Sequence, residues 1–193
     1  MKRAGVLALQ GDFQAHRKAL EFAGGVKVLE VRTAEQLAGI DGLVIPGGES
    51  TTMLKLLDLE RLFEPLKQFG LRKPIFGTCA GAILLASQVS NPAQPSLGLM
   101  DIWVERNGYG RQVDSRVTTI RPEPEFVARA GDGPLEAVFI RAPIIRAVGE
   151  QVKVLARYQQ APVLVEQGRH MAATFHPELT ADARIHRWFL AKL

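Results

Sequence analysis

The sequence predicts an α/β protein built on a largely parallel sheet that is covered on both faces. Three features carry that prediction. Short, nearly unbroken apolar runs recur through the first half (AGVLAL, VKVLEV, GLVI, PIFG); strands without polar alternation must bury both faces. Between them lie segments with apolar residues at helical spacing, so strand and helix alternate as in βαβ units. Beyond about residue 100 the helical patterns thin out and short strand-like runs follow one another, which gives a β-rich second half.

In chain order, residues 4–9 read as a buried strand, and 12–23 as a helix carrying Phe13, Ala19, Leu20 and Phe22 as its apolar residues. Val26–Val31 is a second strand, Ala34–Ala38 a short helix and Gly42–Ile45 a third strand. Ser50 or Thr51 is a good N-cap for a helix through residue 57. A further helix follows over 59–69, then a strand over 74–77 and a helix from about Ala80. Residues 101–106, 112–120, 137–141, 152–158, 162–166 and 170–175 read as strands, the last two forming a hairpin at Gly168. An amphipathic helix over 181–193 closes the chain, and 121–134 (RPEPEFVARAGDGP) reads as its most loop-like segment. With 193 residues, no internal repeat and no linker-like tract, residues 1–193 are expected to form a single domain.

Composition narrows the function classes. No apolar run approaches the ~20 residues of a membrane span, and the N-terminal run stops at Gln10-Gly11-Asp12, too short for a signal-peptide core. The single cysteine excludes an internal disulfide framework, so a cytoplasmic protein is expected. The formal charge is +4, but acidic residues are interspersed with the basic ones and no basic cluster carries aromatic residues. The expectation is a mildly basic surface, with no nucleic-acid partner and no membrane partner. There is no Cys/His cluster at metal-ligand spacing, so no metal is expected.

That cysteine, Cys79, stands in Gly77-Thr78-Cys79-Ala80-Gly81, between a strand and a helix. Gly-x-Cys-x-Gly in that setting has the pattern of a nucleophile elbow: a strained turn that needs glycine on both sides and puts the sulfur at a helix N-terminus. Taken alone, the pattern fits a buried core thiol equally well. Of the four histidines, His16 and His186 fall in helical stretches without a polar partner pattern and read as surface residues, and His170 as a hairpin residue without special role. His176 differs, because it ends an apolar strand, where α/β folds collect their ligands, and Glu178 follows two residues on. A carboxylate at that spacing can orient the imidazole, which makes Cys79, His176 and Glu178 a coherent nucleophile, base and orienter. A third strand ends in Pro46-Gly47-Gly48-Glu49; consecutive glycines let backbone N–H groups approach a ligand, although Pro-Gly-Gly also marks plain turns.

With these elements in this order, the chain resembles the class I (triad) glutamine amidotransferases. The segments GVLALQGDFQAH, PGGESTTM, FGTCAGAILLA, VERNGYGRQVDS, FIRAP and FHPELT narrow the resemblance to the glutaminase subunits of pyridoxal 5′-phosphate synthase. It runs from Gly5 to the last helix; segment 121–134 matches no signature of the family. The resemblance implies a three-layer, flavodoxin-like mixed sheet, mostly parallel, and hydrolysis of L-glutamine through a glutamyl thioester on Cys79. It implies His176 as base and acid, Glu178 as its orienter, and N–H groups of Gly48 and Ala80 as the oxyanion hole. Gly48, Glu49, Ser50, Arg106, Ile140 and Arg141 would line the glutamine site; read without the resemblance, the two arginines would pass for surface salt bridges. Glu49 could meet the substrate ammonium or position its own loop. No cofactor is implied, since pyridoxal phosphate forms on the partner. That partner would be a (β/α)8-barrel synthase subunit assembled as a dodecamer, receiving ammonia through an internal channel. A glutaminase subunit serving a different synthase is the alternative.

Overall fold

The computed structural model describes residues 1–108 and 115–193. Its elements run β1 (Lys2–Leu7), α1 (Phe13–Ala23), β2 (Val26–Val31), α2 (Ala34–Ala38), β3 (Gly42–Ile45), α3 (Ser50–Leu59), α4 (Phe63–Gly70), β4 (Ile75–Thr78) and α5 (Ala80–Leu85). The second half continues with β5 (Ala86–Ser90), β6 (Met100–Glu105), β7 (Ser115–Ile120), α6 (Pro124–Ala130), β8 (Leu135–Ile140) and β9 (Ile144–Val148). Then come β10 (Lys153–Tyr158), β11 (Ala161–Gln167), β12 (His170–Ala173), a 3-10 turn at Pro177–Leu179 and α7 (Arg184–Leu190).

Seven strands make the central sheet in the order β2-β1-β3-β4-β12-β11-β10. Neighbours from β2 to β12 pair in parallel, and β11 and β10 extend the sheet antiparallel. The sheet is therefore mixed and mostly parallel, as expected. Its register explains the unbroken apolar runs. Val6, Val44, Phe76 and Met171 lie side by side across four strands and face one core, while Leu7, Leu43, Ile45, Ile75 and Ala172 face the other. The first core is closed by Leu20 of α1, Phe126 of α6 and Trp188 and Phe189 of α7. The second is closed by Met53 and Leu57 of α3, Leu66 of α4 and the apolar side of β6 and β9. Both faces of each central strand lose water, so a polar residue at either parity needs a partner inside the protein.

The second half departs from expectation at particular places. Strands β5 and β9 flank β6 in a separate three-stranded sheet, and neither was expected from sequence. Each is a short run, and pairing with β6 rather than local pattern makes it a strand. The segment read as loop, 121–134, contains helix α6: Pro124 opens its first turn and Phe126 is fully buried, stacked 5.2 Å from Trp188. A seven-residue helix with one anchoring side chain leaves little periodicity to read. Helix α3 is capped by Glu49, whose carboxylate accepts the Thr51 and Thr52 amides at 2.9 and 2.7 Å, and not by Ser50 or Thr51. Of the strand expected over 112–120, Ser115–Ile120 is described, and 112–114 lie outside the described residues. Among the described residues no helix is long and apolar enough to cross a membrane.

Truncation of Phe126 tests whether α6 belongs to the core. Phe126→Ala should cost about 3–5 kcal/mol in a denaturant-unfolding experiment; a loss below 1 kcal/mol would return the segment to a surface loop.

Candidate active site

The site is built where β1, β3, β4 and β12 end, at the carboxyl edge of the parallel strands. Strand β4 turns into α5 at Cys79, whose φ of 48° and ψ of −104° is a strained backbone for a residue with a side chain. Glycine on either side makes the turn possible. A Cβ at Gly77 would lie 2.4 Å from the Gly81 carbonyl group, and one at Gly81 only 2.2 Å from the Ile45 carbonyl oxygen. The Cys79 N–H donates to Ala173 O at 2.8 Å, which ties the turn to β12. The sulfur thus stands at the start of α5, where the first amides have no carbonyl of their own helix to meet. Ala80 supplies the first of these.

Two further strand ends meet this turn. After β3, Gly47 packs so closely that a Cβ there would lie 2.5 Å from His176 Cε1 and 3.2 Å from Cys79 Cβ. Its carbonyl is pressed against Gly11, and Gly48, at φ 141°, sits against the side chain of Gln10. After β12, His176 donates its backbone N–H to Val138 O at 2.8 Å, and the 3-10 turn brings Glu178 back beneath the ring. His176 Nδ1 and Glu178 Oε1 are 2.7 Å apart. The side of Gly47 facing the ring also faces Cys79, so the imidazole is packed between sulfur and carboxylate.

The electrostatics follow from this packing. Burial alone would lower the basicity of His176, but hydrogen bonding to Cys79 and Glu178 outweighs it and raises its pKa to about 10. Burial would raise the Glu178 pKa; the charges and hydrogen bonds of His16 and His176 instead hold it well below the usual carboxylate range. Both shifts favour an imidazolium on a carboxylate.

A cleft of about 320 Å³ opens over Cys79 and His176, a size suited to a small polar metabolite. It is lined by Gly48, Glu49, Ser50, Arg106, Ile140 and Arg141, so the structure brings together the residues singled out from sequence. It adds Gly11, Asp12, Gly47, Ile83 and Asn107. Arg141 has φ 45°, a second strained non-glycine residue on the same cleft. Arg106 Nη2 donates to Thr51 Oγ1 at 2.8 Å and lies 3.4 Å from Glu49 Oε1. Glu49 is thereby a helix cap and an arginine partner at once. Burial opposes its ionisation, but the Thr51 and Thr52 donors lower its pKa to about 2. The Ser50 hydroxyl donates to Gln94 Oε1 at 2.9 Å, which leaves its backbone for the cleft. Of VERNGYGRQVDS, residues 109–114 lie outside the described residues.

The other histidines correct the sequence reading. His16 and His186 are fully buried, not on the surface, and His16 reaches the site: its Nε2 lies 3.2 Å from Glu178 Oε2 and 2.9 Å from Thr78 Oγ1. The signal for His16 was its place three residues into the first helix, one turn from the β1 loop; sequence offers no partner at that distance. His170 is buried in β12, where Nδ1 accepts the Ile75 N–H at 3.2 Å, and burial first, then Arg169, lowers its pKa to about 4.

A raised histidine pKa stabilises the folded state fully below the unfolded value, near 6.5, and that stabilisation is lost as pH rises towards 10. The stability advantage of the wild type over His176→Gln should therefore shrink between these limits. Histidine-resolved NMR should also find a lower His176 midpoint in Cys79→Ser than in the wild type. An unchanged midpoint would separate the ring from the sulfur.

Comparison with known proteins places this geometry in a family. The model of the SNO glutamine amidotransferase family matches residues 6–193. A protein of Solibacter usitatus named pyridoxal 5′-phosphate synthase subunit PdxT is 63% identical over 193 residues, all of both chains. One of the same name from Koribacter versatilis is 55% identical, covering 97% of this chain and 94% of its own. The solved structure of a glutamine amidotransferase superposes at TM-score 0.87 with 47% identity, covering 98% of this chain and 97% of that one. PurLQS from Thermotoga maritima, at 17% identity and TM-score 0.72 over 98% of each chain, shares the fold. The family match over residues 6–193 shows that this chain belongs to the SNO glutamine amidotransferase family.

Proposed function

We propose that this chain is the glutaminase subunit of a pyridoxal 5′-phosphate synthase, releasing ammonia from L-glutamine for vitamin B6 biosynthesis. What supports it most is the placing of Cys79 and His176 on one cleft, with Glu178 bonded to the ring from behind, in a chain whose relatives carry that subunit's name. In this reading the Cys79 sulfur attacks the side-chain amide carbon, and His176 gives its proton to the departing nitrogen as the C–N bond breaks. A glutamyl thioester and ammonia result. His176 then takes a proton from water, whose oxygen attacks the thioester and releases glutamate and the thiol. Glu178 orients the ring through Nδ1 and stabilises its charged form.

Gly48 and Ala80 donate their N–H groups to the oxyanion, Ala80 from the start of α5 and Gly48 from a backbone that only glycine adopts readily. Arg106 and Arg141 lie on the cleft, where a guanidinium can hold the substrate α-carboxylate. Glu49, Ser50 and Ile140 also line it; the capping contacts of Glu49 support a loop-positioning role. The partner is a (β/α)8-barrel synthase subunit with a dodecameric core, which receives ammonia through an internal channel. Residues 1–193 act as one domain, in the cytoplasm. Glutaminase activity is low in the free chain and rises on docking, because the Gly47-Gly48 peptide must turn to complete the oxyanion hole.

The test is a glutaminase assay with and without the purified barrel subunit: stimulation is expected, and equal rates would overturn the docking requirement. Cys79→Ala should abolish ammonia release while ammonia-fed synthesis by the complex persists. Glutamine hydrolysis by that variant would remove Cys79 as nucleophile. A diazo-ketone analogue of glutamine should label Cys79 in the complex; a modified peptide lying elsewhere would misplace the site.

A further inference from the structure

Behind the cleft lies a chain of buried groups that the reaction above does not use. Glu178 has two carboxylate oxygens and a fully buried side chain. Oε1 is held by His176; Oε2 lies 3.2 Å from His16 Nε2, a charge contact without hydrogen-bond alignment, and makes no hydrogen bond among the described residues. The same His16 nitrogen is 2.9 Å from the hydroxyl of Thr78, the residue that precedes Cys79. On its other side, His16 Nδ1 is 3.3 Å from His186 Nε2, contributed by α7. Both rings pack edgewise on Phe76 of β4.

The hydrogen-bond directions are constrained. An imidazole nitrogen flanked by a carboxylate and a hydroxyl carries its proton, because a lone pair there would face the carboxylate charge. His16 is thus protonated at Nε2. His186 is neutral, since burial first and then His16 push its pKa down to about 3, and its Nδ1 has no partner among the described residues. An unpartnered lone pair costs less than an unpartnered N–H, so the His186 proton sits on Nε2 and points at His16 Nδ1. The donors then run one way, from His186 to His16 to Thr78, with Glu178 Oε2 close beside that last bond, and His176 meets the same carboxylate through Oε1.

We infer that His16 is a positioning residue for glutamine hydrolysis: its Nε2–H, held by Thr78 beside the nucleophile, lies 3.2 Å from Glu178 Oε2 and there favours the charged carboxylate and its orientation towards His176. Oε2 is buried without a hydrogen bond, so losing the nearby N–H of His16 would leave its charge less supported, and Glu178 could rotate away from His176 Nδ1 or take up a proton. The groups that bear on its ionisation are His176 after β12, His16 from α1, His186 from α7 and Asp182 before α7; Asp12 and Lys18 line the shallow cleft on the outer side of its turn. None of these makes a metal site: among the described residues no three such side chains are placed to hold an ion.

The inference rests on Glu178 orienting His176, so the test measures Glu178→Gln alongside. In the full chain with its synthase partner, folded His16→Leu should lower kcat roughly 10- to 100-fold, the scale of a partner one step behind a working group, with KM nearly unchanged. Its acid limb should move to higher pH, because a carboxylate without this donor protonates more easily. His16→Gln, which keeps an N–H, should recover part of the rate. An unchanged kcat and acid limb in His16→Leu, or a loss confined to KM, overturns the inference. If Glu178→Gln is also fully active, the failure belongs to the triad reading instead. Should His16→Leu not fold, imidazole ¹⁵N spectra of the wild type decide: Nε2 of His16 protonated at neutral pH is expected, and an unprotonated Nε2 overturns it.

Discussion

The structure depends on a backbone contact that admits no side chain. Gly77, Gly81 and the Ile45 carbonyl meet where β3, β4 and α5 converge, with less than 3 Å left for any Cβ. That contact lets α5 start directly above the sheet and holds Cys79 in a left-handed backbone it would not adopt alone. The strain is sustained by ordinary means: a hydrogen bond from the Cys79 N–H to β12, a helix whose six residues are all buried, and apolar strands on both sides. Gly47 repeats the device one strand over, bringing its backbone against both the cysteine and the histidine. Glycines here are spacers that set distances between catalytic atoms.

Burial then sets the chemistry. His176 and Glu178 are nearly inaccessible to water, so each would lose its charge alone. Together, and with Cys79 and His16 in contact, their shifts run the opposite way, towards imidazolium and carboxylate. The polar groups at the strand ends contact one another, and the two cores lie on either face of the sheet that holds them. Arg106, Arg141 and Glu49 place charge on the cleft lining, while His176 and Glu178 are buried.

Much of this was legible in the chain. The strands Val26–Val31 and Gly42–Ile45 and the helix Ala34–Ala38 coincide with their expected bounds, because each is a compact local pattern with clear breaks. Legibility failed where identity is conferred from outside: β5 and β9 are strands because β6 pairs with them, and α6 is a helix anchored through Phe126 on Trp188. Glu49 was weighed as a ligand group before it was seen to cap α3, because a carboxylate cap competes poorly with Ser and Thr in sequence patterns.

By itself, the sequence determined the doubly covered parallel sheet, the glycine-flanked turn at Cys79 and the pairing of His176 with Glu178, since each rests on spacing within a few residues. Only the tertiary structure decided which histidines matter. His16 and His186 looked like residues of two amphipathic helices, and 170 residues separate them. Their meeting beneath Glu178 requires α1 and α7 to lie on the same face of the sheet, packed on Phe76. Long-range burial of polar groups leaves no periodic trace in a sequence, because the partner that makes such burial tolerable is supplied by the fold.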